Sequence, residues 1–244
     1  MTLRSIVKRL VGPRLTRRIQ QARMPRFPSG HARQWWGRRD LADPGLVDFY
    51  WQSRKAPARR AIAEAVAELG GHSMLEIGCH AGANLWAANQ VRSFERLAGT
   101  DLSPTVLAEA RRRLASESLP VELSVASAEA LPFADKSFDI VLTSVMLVCI
   151  GPEAIDASLD EIVRVSRRWL VLCEPWSERT TDEADFHPET TYWIRNYRAR
   201  LEGRADLAAV RHLPREHHIG HLDSIAVFEL RQDGGPIASS PPGA

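Results

Sequence analysis

Cysteine is scarce in this chain of 244 residues, and the three present, Cys79, Cys149 and Cys173, lie far apart inside apolar stretches. They give neither a disulfide framework nor a zinc-ligand spacing, which points to a reducing compartment, the cytoplasm by default. Long apolar runs are missing too. The longest, residues 140–150, is broken by Thr143 and Ser144 and falls short of the roughly 20 residues that a membrane span requires. No apolar stretch of adequate length follows the first charges, so a secretory signal is not expected, and no internal repeat is visible. What is present is ordinary for a folded protein: 44% hydrophobic and 25% charged side chains, enough to bury the core of one large domain with appendages.

Acidic residues are absent from positions 1–39, which hold Lys8 and ten arginines and so carry +11, whereas 40–244 has 21 basic against 30 acidic side chains. A basic arm therefore precedes an acidic domain. Leu3, Ile6, Val7, Leu10, Val11, Leu15 and Ile19 recur at helical intervals, with Gly12 and Pro13 as a break. An Arg-rich amphipathic arm can lie on an anionic membrane surface, each basic residue adding about 1 kcal/mol. The same charges suit an arm folded on its own domain, a nucleic-acid contact or an organellar transit peptide. Peripheral attachment at the inner face of the membrane thus stands beside the plain cytoplasmic reading. Residues 232–244, rich in Gly, Pro and Ser, read as a disordered tail. The expected organisation is an arm at 1–39, a domain at 40–231 and that tail.

Within the domain, strands and helices alternate. Helices are expected at 44–54 and 57–69, then a strand at 74–77, a Gly-bearing turn, a helix at 84–91 and a strand at 94–99 that runs on to Asp101. Ser103 and Pro104 start the next helix as capping residue and first-turn proline. Strands follow at 121–125, 138–143 and 169–173, with a helix at 152–165 between the last two. A helix is expected at 190–201, then two neighbouring antiparallel strands at 207–213 and 224–230. This predicts a three-layer, Rossmann-like α/β fold. Its seven-stranded sheet is mostly parallel, with the last strand antiparallel, helices on both faces and ligands at the carboxyl ends of the strands.

The turn Glu76-Ile77-Gly78-Cys79-His80-Ala81-Gly82-Ala83-Asn84 sets small residues where backbone approaches a ligand closely, and it ends at a helix N-terminus. Asp101 follows Gly78 by 23 residues, at a strand end, where a carboxylate can accept both hydroxyls of a ribose. A dinucleotide fingerprint would need glycine where His80 stands, so backbone room for a pyrophosphate is missing and NAD is disfavoured. The bland alternative is a tight turn at Gly78 and Gly82 with Asp101 capping a helix.

These segments, together with Gly99-Thr100-Asp101-Leu102-Ser103-Pro104 and the stretch from Ala128-Glu129-Ala130-Leu131-Pro132-Phe133 to Asp139, resemble class I S-adenosylmethionine-dependent methyltransferases of the small-molecule, type 11-like kind. The resemblance covers roughly residues 57–175 closely and extends to 231 by strand order. It implies S-adenosyl-L-methionine as cofactor, the 78–82 turn on its amino-acid part, Asp101 on its ribose and Ser127-Ala128 beside its adenine. The cofactor-binding set it suggests is Glu76, Gly78, Cys79, Gly82, Asn84, Asp101, Leu102, Ser127, Ala128 and Thr143. The chain departs from the family where Ser127 replaces a frequent acid, Cys149 a frequent histidine, and Arg167-Arg168 a Pro-Gly-Gly turn.

Methyl transfer is an in-line displacement that gains most from alignment. A hydroxyl acceptor adds the need for a general base, typically worth 10²–10⁴-fold, and histidine is the natural candidate. His217, His218 and His221 follow a strand expected to end at the carboxyl face and are the candidate catalytic residues; each is also an ordinary loop histidine on the alternative reading. His187 and Glu174 face the same side. No third ligand accompanies His218 and His221, so no metal is expected. Trp176, Tyr192, Trp193 and Tyr197 would wall a pocket or pack a helix, and Tyr50, Trp51 and Arg54 would cover the cofactor or anchor theirs. An acidic domain whose post-strand segment reads Thr143-Ser144-Val145-Met146 makes nucleic acid an unfavoured partner. The expected activity is methyl transfer to a small-molecule or glycan acceptor, at a hydroxyl oxygen. The alternatives are carbon or nitrogen methylation of a quinone or natural product, and a non-catalytic scaffold.

Overall fold

In the computed structural model we describe residues 43–175, 185–187, 192–205, 207–212 and 225–231. The arm at 1–39, the tail at 232–244, Trp176, and the histidines 217, 218 and 221 lie outside the described residues.

Helix α1 (Pro44–Gln52) begins where the Asp43 carboxylate accepts from the amides of Gly45 and Leu46, with proline at the first helical position. A 3-10 turn (Ser53–Lys55) leads into α2 (Pro57–Glu68). Then come β1 (Ser73–Ile77), α3 (Ala83–Val91), β2 (Arg96–Asp101), α4 (Pro104–Ser116), β3 (Glu122–Val125) and β4 (Phe138–Ser144). A second 3-10 turn (Leu147–Cys149) precedes α5 (Pro152–Val165) and β5 (Ser166–Cys173). The remainder is β6 (Asp185–His187), β7 (Tyr192–Ile194), α6 (Tyr197–Glu202), β8 (Leu207–His212) and β9 (Ala226–Leu230).

Seven strands form one sheet in the order β3-β2-β1-β4-β5-β9-β8. β1 to β5 run parallel, and β9 is antiparallel to both β5 and β8. The order reverses between β1 and β4, so the crevice at the carboxyl ends of these strands is the switch point where such sheets bind ligands. Every residue of β1 is buried because helices cover both faces. On one face Met74, Ile140, Leu142 and Val171 pack with Ile62, Val66 and Leu85; on the other Leu75, Val141, Leu170 and Leu172 pack with Ile155, Leu159 and Ile162. Each such side chain contributes on the order of 1.5–3 kcal/mol on burial.

The opposite sheet end is pinned by charge. Asp139 accepts from the amides of His72 and Ser73, at 2.7 and 3.0 Å, and meets Arg167 at 2.7 Å. Arg168 pairs with Glu229 on β9. The arginines that replace the family's Pro-Gly-Gly turn thus fasten the start of β5 to β4 and β9.

The helix expected at 190–201 is a correction. Its first part is β7, paired antiparallel with β6, and only Tyr197–Glu202 is helical. Two local features account for this: Tyr192, Trp193 and Ile194 are β-favouring, and the Asn196 side chain accepts from the Ala199 amide at 3.0 Å, capping a helix that can start no earlier. Among the described residues no helix is long and apolar enough to cross a membrane.

Candidate functional site

The turn after β1 is held in left-handed conformations by Gly78 (φ 75°), His80 (φ 46°) and Gly82 (φ 77°). The amides of Gly78 and Cys79 both donate to the Thr100 carbonyl, at 2.8 and 2.9 Å, so the turn is fastened to β2. A Cβ on Gly78 would stand 2.5 Å from Met146 Cγ, and one on Gly82 2.8 Å from Leu114 Cδ1. Both glycines are therefore required by the protein's own packing as well as by their φ values. The Cys79 thiol is buried, and burial pushes its pKa up, so the side chain stays protonated.

Alternation along β1 sends Glu76 to the face covered by α2 and α3, where it is 2% exposed. One carboxylate oxygen, Oε1, accepts from Asn84 Nδ2 at 2.6 Å, and Asn84 Oδ1 accepts from Arg59 Nη1 at 2.8 Å. Glu76 Oε2 has no hydrogen-bond partner among the described residues. Burial raises its pKa to about 7, against the Asn84 hydrogen bond and the Arg59 charge.

Asp101, at the end of β2, accepts at Oδ2 from the His80 amide and at Oδ1 from the Ser103 amide, both at 3.0 Å. Each oxygen keeps a lone pair for another donor. Burial raises its pKa, with those amides and that of Leu102 opposing. The Ala126 amide donates to the Asp101 carbonyl at 3.1 Å, which brings the 127–130 turn beside it. There the Ser127 hydroxyl is bonded to Glu129 Oε2 at 3.0 Å, so an acid stands next to the position where the family often has one. Leu102 and Ala128 are half-buried at this edge.

The His80 ring leans on Tyr50 of α1, centroids 4.3 Å apart. Burial, helped by the Arg59 charge, lowers its pKa to about 4, so it is neutral at physiological pH. Both ring nitrogens are buried without a hydrogen-bond partner among the described residues. Trp51 is an anchor, 5% exposed, and Arg54 lies over it and over Trp86 at 4.3 and 5.1 Å. Of the three residues expected to cover the cofactor or to anchor their helix, Tyr50 makes a ring contact with the turn, while Trp51 and Arg54 act as anchors toward Trp86 of α3.

Thr143, near the end of β4 and paired with Ile77, is fully buried, and its hydroxyl has no hydrogen-bond partner among the described residues. Glu174 accepts from the amides of Met146, Leu147 and Val148, at 3.1, 3.2 and 3.4 Å. Burial raises its pKa to about 7. Arg195 donates to the carbonyls of Leu147 and Ile150. Cys149 bonds the Val145 carbonyl within the same segment, and Val145 itself has φ 54°, an unusual conformation for a β-branched residue. Tyr197 is fully buried in the core, so it packs and does not wall a pocket; Trp193 is half-buried beneath the Arg195 guanidinium.

The structure thus places Glu76, Gly78, Cys79, Gly82, Asn84, Asp101, Leu102, Ser127, Ala128 and Thr143 at the carboxyl ends of β1 to β4 and in the segments that follow them. Arg59, Arg195 and the Tyr50–His80 contact were not read from sequence. Nothing local distinguishes Arg59 from the other arginines of its alanine-rich helix, and Arg195 becomes special only through tertiary burial.

Residues 74–168 match the family model of a methyltransferase domain. A stretch of 68 residues, 28% of this chain, is 41% identical to an uncharacterized protein of Mycobacterium tuberculosis. The match spans 24% of that relative, about a quarter of its length. Among solved structures, magnesium protoporphyrin IX methyltransferase from Synechocystis PCC 6803 with bound SAH superposes with a TM-score of 0.58 at 14% identity, over 82% of this chain and 98% of that one. The (4+2)-cyclase SpnF gives 0.57 at 19% identity, over 72% and 82%. At these identities the superpositions show the fold.

Proposed function

We propose, from the premise that residues 74–168 form a methyltransferase domain of the class I, S-adenosylmethionine-dependent kind, that this chain transfers a methyl group to a hydroxyl of a small-molecule or glycan acceptor. The single observation that carries the reading is the pairing, at the switch point of the sheet, of Glu76, with one unsatisfied carboxylate oxygen, and Asp101, oriented by two amides. These groups fit the cofactor. Glu76 Oε2 is an acceptor suited to its ammonium, Asp101 offers a lone pair on each oxygen to the ribose hydroxyls, and the 127–128 turn beside Asp101 would border the adenine.

S-adenosylmethionine, when bound, supplies a methyl carbon that its sulfonium activates toward in-line displacement. The chain has then to align the acceptor and exclude water. The segment from Val145 to Ile150, clamped by Glu174 and Arg195, would supply one wall of that space. A hydroxyl acceptor must also lose a proton, and the histidines 217, 218 and 221 remain the candidates to take it. In this reading residues 40–231 are the catalytic unit, 1–39 an arm that brings it to an anionic surface where a lipid-linked acceptor resides, and 232–244 a tail. Carbon or nitrogen acceptors need the same alignment without that base.

Calorimetry with S-adenosylmethionine, followed by a labelled-methyl assay on fractionated cell extract, tests the reading. We expect binding and a labelled product whose bond, identified by mass spectrometry, is to oxygen. Product labelled at carbon or nitrogen would redirect the acceptor class, binding without any product would favour a scaffold, and absence of binding would remove the cofactor. Loss of turnover on replacing His217, His218 or His221 one at a time identifies the base; unchanged turnover in all three leaves alignment as the whole of catalysis.

A further inference from the structure

Arg59 on α2 and Asn84 in the first turn of α3 meet behind Glu76, and the chemistry of the three fixes their polarity. A guanidinium only donates, so Asn84 must offer it the carbonyl and must turn its amino group to Glu76. Asn84 and Glu76 are each 2% exposed, so their polar groups depend on one another and on Arg59 more than on bulk solvent. The result is a carboxylate with one oxygen engaged and the other, Oε2, unsatisfied.

We propose that Arg59 is a positioning residue that acts through Asn84 to keep Glu76 an acceptor and to present its free oxygen to the primary ammonium of the ligand. The inference rests on the reading above, in which that ammonium belongs to the amino-acid part of S-adenosylmethionine. The groups facing Glu76 divide. Burial, the Asp101 charge and the neighbouring Cys79 work against an ionised carboxylate or gain nothing from it, whereas Asn84, Arg59 and the Leu85 amide favour it. Without Arg59 the Asn84 amide is free to turn its carbonyl toward Glu76, an arrangement that requires a protonated carboxyl. A neutral Glu76 loses its charge-assisted bond to an ammonium. Arg59 is itself braced from α1: its Nε donates to Ser53 Oγ at 3.4 Å, and that hydroxyl donates to the Tyr50 carbonyl at 2.6 Å. The relay therefore runs from the helix that touches His80 to the ligand face of β1.

Calorimetry on the full chain with three probes isolates this role. S-adenosylhomocysteine carries ammonium and carboxylate, its decarboxylated analogue carries the ammonium alone, and 5′-methylthioadenosine carries neither. Arg59→Met is expected to weaken the first two by about 10-fold or more, the loss of one charge-assisted bond. It should leave methylthioadenosine within about two-fold, since that probe makes no bond to Glu76. Arg59→Lys, which also only donates, should recover most of the loss. Retained methylthioadenosine binding certifies that the variant is folded. Equal weakening of all three probes would make Arg59 structural, and weakening of S-adenosylhomocysteine alone would mean direct contact with the carboxylate; either result overturns the relay, as does no change. Wild-type protein that binds none of the three overturns the cofactor reading itself, a result distinct from wild-type binding that Arg59→Met leaves unaltered.

Discussion

Glu174 and Arg195 hold one 3-10 turn from its two ends. The carboxylate accepts from the amides of residues 146–148, and the guanidinium donates to the carbonyls of Leu147 and Ile150, at 3.1 and 2.7 Å. Both side chains are buried, 0% and 3% exposed. Glu174 satisfies free amides at the start of this short helix, and Arg195 takes the Ile150 carbonyl just past its end and adds a second donor to the Leu147 carbonyl, which already accepts from the Ile150 amide. Because a Cβ on Gly78 would collide with Met146, the first residue so held, the clamped turn also abuts the loop after β1. The Val145 backbone, with φ 54°, is kept in place by this clamp and by the hydrogen bond its N–H donates to the Cys173 carbonyl at 3.0 Å.

Removing the carboxylate in Glu174→Ala should cost about 3 kcal/mol or more, since three buried amides lose their acceptor at about 1–3 kcal/mol each before relaxation. For a chain of this size that is a fall in melting temperature of about 6 °C or more. Hydrogen exchange should accelerate at residues 146–148 first and leave the β1 and β2 amides near wild-type protection. Uniform acceleration across the sheet would mean that Glu174 stabilises the fold at large and holds no particular loop.

The contribution of Asp101 to binding should be independent of the amino-acid half of the ligand. If Asp101 holds the ribose as proposed, Asp101→Ala removes the acceptor for both hydroxyls, an expected loss of about 1.5–3 kcal/mol per bond before water replaces it. S-adenosylhomocysteine and 5′-methylthioadenosine should weaken alike, the pattern opposite to that expected of Arg59→Met. The same substitution orphans the His80 and Ser103 amides, so a thermal melt must accompany it. Undiminished affinity for both ligands would show that Asp101 only caps α4 and the turn.

Sequence pattern made the architecture legible wherever burial and spacing act locally. β1 to β5, β8, β9 and the helices between them appear within a few residues of their expected bounds, because apolar runs, Ser103-Pro104 and the glycine turn are short-range signals. The stretch 190–201 misled because Ile194, Tyr197 and Leu201 have helical spacing, yet Arg195 is buried against the carbonyls of Leu147 and Ile150, more than 40 positions away. The site divided likewise. Glu76, Asp101 and the glycines are motif residues, whereas Arg59 and Arg195 work through partners that only the fold supplies. Glu174 was visible as a strand-end acid, but its bonds to residues 146–148 were not.

The arm is the subject of a separate expectation, which rests on its eleven basic side chains and on the acidity of the domain. Full-length protein should sediment with vesicles containing anionic lipid and be released by salt, while a chain starting at Asp40 stays in the supernatant. If both remain soluble at low salt, the arm serves its own domain or another polyanion. Protection of residues 1–39 from proteolysis without lipid would point to the domain.

Glu76 should make ligand binding and stability depend on pH in opposite senses. Its pKa is raised from 4.5 to about 7 by burial, so the ligand-free protein gains stability from the neutral carboxyl below about pH 4.5 and loses it as pH rises through about 7. The 2.5-unit difference corresponds to about 3 kcal/mol at full burial. Glu174, raised likewise, adds a limb of the same sign. An ammonium ligand reverses the preference at Glu76 alone, because it pairs with the ionised form. Affinity for S-adenosylhomocysteine should therefore rise with pH through about 7 and then level, until the ligand's own amino group begins to lose its proton at higher pH. At pH 6, where that amino group is charged, binding should release most of one proton per site, measured by calorimetry in buffers of different ionisation enthalpy. Glu76→Gln should abolish the release and weaken S-adenosylhomocysteine, leaving methylthioadenosine unchanged. Proton release that persists in Glu76→Gln would assign the titrating group to Asp101, whose pKa burial also raises, and would remove Glu76 from the ammonium site.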